Sequence, residues 1–212
     1  MNLNEIPQTV VALSISAYWT CVVFMSIRSR IRFRTPSGSL PKTKIERLMW
    51  LLWVPTIIAW IALTWNSSNV FLESTQGTWL EGLSLGLVAI TALSVLTAFL
   101  LTIRCWLAMG KNWTMAVRPD KETELITDGV FANVRHPIYA LSLILMVGSL
   151  IVVCNVQMLL VAIIHCSMLY LKSSNEEKYL TQTHGEQYVS YLQHTNRFFP
   201  IRAIRNRFAN AA

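Results

Sequence analysis

Long unbroken apolar runs, rather than any apolar–polar alternation, dominate this chain. Residues 6–27, 48–65 and 83–103 are apolar stretches of 22, 18 and 21 residues. At about 1.5 Å per helical residue, each suits a hydrocarbon core about 30 Å thick. Two further runs, 138–154 and 157–171, hold 17 and 15 residues and are parted only by Asn155 and Val156. Both are short for an upright crossing, so the pattern predicts a helical hairpin with Asn155 at its polar tip. Residues 35–43, with Pro36, Gly38 and Pro41, read as a surface turn, and residues 107–135 as the long connection before the hairpin. The last forty residues are polar, aromatic and basic, with helical spacing over 176–192. The expected architecture is all-α: a polytopic membrane protein with five transmembrane helices, the last two a tight hairpin, plus a cytosolic C-terminal helical region. We read residues 1–212 as a single domain, with three spans in 1–106 and the hairpin and C-terminal helix in 107–212.

Charge gives this bundle a direction. The chain is 53% hydrophobic and only 14% charged, against about 25% charged in an ordinary soluble domain. Seven Lys or Arg lie in residues 28–47, five in 104–135 and six in 172–207, which accounts for all eighteen. Residues 1–5 and 66–82 hold none. By the positive-inside rule the N-terminus is expected outside and the C-terminus in the cytosol of a multi-pass protein. The net charge of +7 therefore reports topology, and no nucleic-acid partner is expected. Glu5 precedes the first run while Arg28, Arg30, Arg32 and Arg34 follow it, the reverse of a signal peptide, so that run reads as a retained span. The absence of retention or processing signals favours a bacterial inner membrane, or the endoplasmic reticulum if the chain is eukaryotic. Cys21, Cys105, Cys154 and Cys166 have no C-x-x-C spacing, so neither a disulfide framework nor a metal site is expected.

Candidate chemistry concentrates at the cytosolic ends of the last two runs. His165 is the one ionisable group deep within a run, where it is either functional or a neutral imidazole bonded to a neighbouring carbonyl. The dense cluster is Arg135-His136-Pro137-Ile138-Tyr139 on one arm, and Lys172 with Glu176-Glu177 on the other, followed by Gly185, Tyr188, Tyr191 and Arg197. Pro137 can open a helix at its first turn, which aims free backbone N–H groups at an anion. Because the chain returns after a two-residue tip, Lys172 and Glu176 should re-emerge beside His136 and Tyr139. Taken singly, these residues also read as snorkelling cations and an aromatic belt; their order and spacing argue for a site.

In that order and spacing the chain resembles the isoprenylcysteine carboxyl methyltransferase family and the related membrane phospholipid methyltransferases. The resemblance covers about residues 107–200. It is carried by Gly110-Lys-Asn-Trp113, Leu125-Ile-Thr-Asp-Gly129-Val-Phe131, Arg135-His-Pro-Ile-Tyr139, Glu176-Glu177 and Gly185-x-x-Tyr188-x-x-Tyr191. It implies a cytosolic S-adenosylmethionine site and a lipophilic prenyl or lipid methyl acceptor within the membrane. Leu125 and Ile126 would meet the adenine through backbone groups. Phe131 stands where the family usually has Tyr. His136, Pro137, Ile138 and Tyr139 would line the methionine and ribose, Glu176 would hold polar groups of the cofactor, and Arg118 is a looser match. The resemblance further implies Lys172, Tyr139 and Arg135 as the catalytic set, with Lys172 in place of an Arg that faces the substrate carboxylate.

Isoprenylcysteine-type carboxyl O-methylation is the leading expectation, with phospholipid or small-amine N-methylation next. An acceptor carboxylate needs no general base, whereas an ammonium must first lose a proton, with Glu177, His136 or Tyr139 to help. Two other classes compete. Sterol-type NADPH reductases share a similar Arg-His-Pro-x-Tyr and Gly-x-x-Tyr pattern, but they carry about twice as many spans and an Asp after the Tyr. A non-catalytic membrane scaffold would need only the snorkelling cations.

Overall fold

The computed structural model describes residues 5–33, 44–67, 70–110, 113–115 and 124–201. They form seven α-helices: α1 (Ile6–Phe33), α2 (Lys44–Asn66), α3 (Val70–Thr75), α4 (Glu81–Met109), α5 (Pro137–Val153), α6 (Val156–His184) and α7 (Glu186–His194), with a 3-10 turn at Gly129–Ala132. Among the described residues there is no strand, only an isolated parallel bridge between Val134 and Asn196. The all-helical expectation holds there. The surface turn expected at 35–43 lies outside the described residues.

Four helices are long and apolar enough to cross a membrane: Ile6–Ile31, Glu46–Asn66, Glu81–Met109 and Val156–His184. The remaining apolar helix, Pro137–Val153, is shorter at 17 residues. Exposed side chains such as Leu51, Leu83, Ile90 and Ile163 cover the outside of the bundle, as a lipid-facing surface requires. The core lies between helices, where Val11, Ile15, Val88, Val95, Leu145 and Met146 are sealed from solvent. α5 lies against α4 at close range, because a Cβ at Gly148 would collide with Val95 Cγ2 and reach Thr91 Cγ2 at 3.4 Å. A small residue at such a crossing lets two backbones approach.

Local sequence explains the turn between α5 and α6. Cys154 closes α5 in the left-handed region at φ 47°, and the Asn155 side chain accepts from Met158 N–H at 2.7 Å to cap α6. The Asn155 amide also donates to Ser67 Oγ at 3.1 Å, tying the tip to the end of α2. α6 then departs from expectation. The run over 157–171 does not end where its apolar character ends; the helix continues through Lys172 and Glu176 to His184. With 29 residues it is about 44 Å long, longer than a hydrocarbon core of about 30 Å. The helix expected over 176–192 is instead broken at Gly185, whose φ of +52° ends α6 and starts α7, a conformation natural to glycine.

Candidate active site

The hydrogen-bonded cluster is built at the charged end of the bundle. Pro137 is the first residue of α5 and His136 its N-cap. The first turn's backbone bond runs from Ala140 N–H to His136 O at 3.0 Å, which leaves the Ile138 and Tyr139 N–H groups without an acceptor inside the helix. α6 returns alongside and brings Glu176 within reach. Tyr139 Oη donates to Glu176 Oε1 at 2.6 Å, and Lys172 Nζ pairs with the same oxygen at 3.3 Å. Lys172 also donates to the Met115 carbonyl at 2.5 Å. His136 stacks on Tyr139, with centroids 5.3 Å apart and planes 6° from parallel.

Glu177, one residue further and about 100° round the helix, faces elsewhere. Its Oε1 accepts from Arg135 Nε at 2.9 Å, Arg197 Nε at 3.1 Å and His136 Nε2 at 3.2 Å, while Oε2 accepts from Arg197 Nη2 at 2.5 Å. Arg135 donates on to the Thr195 carbonyl at 2.5 Å. Backbone bonds from Arg135 N–H to Asn196 O (2.9 Å) and from His136 N–H to Arg197 O (3.0 Å) lay the segment after α7 along the entry to α5. The Arg197 guanidinium lies 5.1 Å from the Tyr170 ring. Hydrogen bonds to Glu177 raise its pKa further, against the opposing effect of burial. Glu177 therefore holds three donors in place and has no capacity left to take a proton from a substrate.

A cavity of about 260 Å³ opens beside this cluster. Its wall includes Leu125, Ile126, Phe131, Arg135, His136, Pro137, Ile138, Tyr139, Lys172 and Glu176. The positions that the resemblance assigns to cofactor or catalysis thus line one cavity, except Arg118, which lies outside the described residues. Glu177 is not part of the wall. Arg135, expected among the catalytic groups, lines the cavity with its guanidinium engaged by Glu177 and Thr195, a positioning geometry. The segment 124–131 is held there by Tyr191, whose hydroxyl donates to the Phe131 carbonyl. Burial pushes the Tyr191 phenol up to about 12, so it stays a donor at any ordinary pH.

The far side of the cavity had no signal in the sequence. Tyr18 and Trp19 of α1, Trp50, Trp53 and Ile57 of α2, and Trp106 at the end of α4 line it. Its tryptophan wall is fixed by His165. Trp53 Nε1 donates to His165 Nδ1 at 3.1 Å, and His165 Nε2 lies 3.0 Å from Ser142 Oγ. Indole is donor-only, so Nδ1 must accept and Nε2 carries the proton. His165, fully buried, is bonded to side chains of α2 and α5 rather than to the carbonyl considered above. It is a tether across three helices, joined by Trp60 at 4.8 Å between ring centroids.

S-adenosylmethionine offers a carboxylate, an ammonium, a sulfonium, ribose hydroxyls and an adenine ring. This cavity is lined by Lys172, Glu176, the first-turn residues Ile138 and Tyr139 of α5 and several aromatic side chains, and aromatic faces attract cations and stack on rings. The residues fit the group. Among the described residues no cluster of His, Cys, Asp or Glu fits a metal ion.

Comparison with known proteins converges on the same segment. The sequence model of the isoprenylcysteine carboxyl methyltransferase (ICMT) family matches residues 89–182. A plant relative, protein-S-isoprenylcysteine O-methyltransferase B of Arabidopsis thaliana, is 33% identical over 87 residues, 40% of this chain and 44% of the relative. The chain thus spans less than half the length of the curated relative it matches. The matched segment contains the second half of α4, all of α5 and almost all of α6, and leaves out Trp19, Trp53, Tyr188 and Arg197. Residues 89–182 of this chain, which carry His136, Tyr139, Lys172 and both glutamates, are thus similar to the isoprenylcysteine carboxyl methyltransferase family.

Proposed function

We propose that this protein transfers a methyl group from S-adenosylmethionine to the carboxylate of a lipophilic, isoprenylcysteine-type acceptor at the cytosolic face of a membrane. The supporting observation is one cavity with two unlike walls: charged and hydrogen-bonding groups from α5 and α6, and indoles from α1 and α2. In this reading α5 is a fifth span, its shortness made up by the hairpin with α6, and the charged end faces the cytosol. The acceptor's tail enters sideways from lipid along the indole wall, and its head reaches the polar wall.

Bound there, S-adenosylmethionine supplies a methyl already activated by the sulfonium charge. Glu176 would hold the cofactor's cationic groups, while the Ile138 and Tyr139 N–H groups at the start of α5 would receive its carboxylate. Leu125 and Ile126 would present backbone groups to the adenine and Phe131 its ring face. His136 and Pro137 close the methionine side. Lys172 draws the acceptor carboxylate toward the reaction axis, and Tyr139 fixes Glu176 beside it. Arg135, through Glu177, sets the position of His136. The chain's task is alignment and exclusion of water, with no proton to remove. That favours a carboxylate acceptor over an ammonium, since Lys172 repels a cation and Glu177 is fully engaged. Calorimetry on the detergent-purified protein tests the cofactor. Saturable binding of S-adenosylhomocysteine with none of NADPH is expected, and the reverse would replace this reading with a reductase.

A further inference from the structure

His165 is an ionisable side chain sealed from solvent within a candidate membrane span, and no step of the reading above uses it. A group of this kind is costly at membrane depth and marks function by default. It is not part of the cavity wall, so it acts on a ligand only through a neighbour. That neighbour is Trp53, which lines the cavity and donates its indole N–H to His165 Nδ1 at 3.1 Å. The imidazole is itself held on its other sides. Ser142 Oγ stands 3.0 Å from Nε2, and the Trp60 ring lies 4.8 Å away between centroids. Trp60 in turn is fixed by its bond to Ser149 Oγ at 2.9 Å. An acceptor that cannot turn sets the direction of the Trp53 ring.

Trp53 stands where the two unlike walls meet. A small recess lined by Glu46, Met49 and Asn175 shares Trp50, Trp53 and Lys172 with the main cavity. The indole and the ammonium therefore border the same corner, between the polar and the apolar side. We propose that His165 is a positioning residue: through Trp53 it sets how a lipophilic acceptor seats at the point where its tail joins its carboxylate head. This inference rests on the acceptor reading above.

The test compares His165→Asn with His165→Gln in the full-length, detergent-solubilised protein. An Asn carboxamide can place its oxygen near the Nδ1 position and keeps an acceptor for Trp53. The longer Gln reaches toward Ser142 and leaves the indole N–H unpaired. Calorimetry without cofactor reads affinity for prenylcysteines with ten-carbon and fifteen-carbon tails; a second titration, with S-adenosylhomocysteine, reads the cofactor site. His165→Gln should bind both prenylcysteines about tenfold more weakly, His165→Asn should bind them as the wild type does, and S-adenosylhomocysteine affinity should be the same in all three. Trp53→Phe, which keeps the imidazole but has no N–H to direct, should show a similar loss, and adding His165→Gln to it should weaken binding no further. Equal losses in the Asn and Gln variants, or a Gln effect that persists beside Trp53→Phe, overturn the proposal and leave His165 a packing group. Unchanged affinity in Trp53→Phe overturns it even where a His165 variant does not fold. A loss confined to the fifteen-carbon tail overturns the assignment to the junction of tail and head. If the wild-type protein binds neither prenylcysteine, the acceptor reading fails and takes this inference with it; if the wild type binds and the variants alone contradict expectation, only the role of His165 is removed.

Discussion

Glu176 and Glu177 are neighbours on α6, yet the two faces of the helix they occupy do different work. The Glu176 face turns to the cavity, and its carboxylate meets a phenol and an ammonium on one oxygen; the nearest group to the other is His136 Nδ1 at 3.6 Å. The Glu177 face turns to the segment after α7 and is saturated by Arg135, His136 and Arg197. An acid with capacity to spare can bind a ligand, whereas a saturated one can only hold its neighbours. The difference teaches that charge and burial alone do not mark a functional carboxylate; the count of unused acceptor positions does.

Breaking the saturated face should have the largest effect. Glu177→Ala leaves two guanidiniums and an imidazole without their common acceptor, and removing one partner of a buried ion pair costs about 3–5 kcal/mol. Thermal denaturation in detergent should show a large drop in melting temperature together with loss of cofactor binding. Glu176→Gln keeps the shape and removes the charge, so the fold should survive while affinity for S-adenosylhomocysteine falls about 10–100-fold, the worth of a charged hydrogen bond. Calorimetry and a melting curve on the same sample separate the two outcomes. If Glu176→Gln melts as early as Glu177→Ala, the contrast between the faces is wrong.

The indole wall sharpens the comparison from the other side of the cavity. Trp53→Ala should raise the KM of a prenylcysteine acceptor about tenfold through lost apolar contact and leave cofactor affinity in place. A change confined to cofactor affinity would assign the indoles to the wrong ligand. The smallest effect is expected from Lys172→Arg. A guanidinium can meet a carboxylate with two parallel hydrogen bonds where an ammonium presents a point charge, so the KM of a carboxylate acceptor should fall by about threefold, or 0.6 kcal/mol. A rise instead would mean that the Met115 carbonyl bond, and not the acceptor, fixes the cation.

How much of this was written in the sequence follows from how local each feature is. The turn at Asn155, the helix start at Pro137 and the meeting of Tyr139 with Lys172 and Glu176 were legible, because a two-residue break between apolar runs turns the chain back. The continuation of α6 to His184 was not, since polarity ended the apolar run while no helix breaker appears before Gly185. Pairing of Trp53 with His165 joins residues 112 apart in sequence, and α1 and α2 carry only a generic apolar pattern, so the indole wall had no local signal. Arg197 was visible as part of a basic, aromatic C-terminal stretch. Its role appeared only once the chain after α7 was seen to run beside Arg135 and His136.

Incubating the purified protein with methyl-labelled S-adenosylmethionine, a prenylcysteine acceptor and membrane lipid, then treating the products with alkali, addresses the central claim. A carboxyl methyl ester releases its label as volatile methanol, and the account predicts that the label on the prenylcysteine is released in this way. Alkali-stable label on a lipid amine, or no transfer at all from a protein that binds the cofactor, would contradict it.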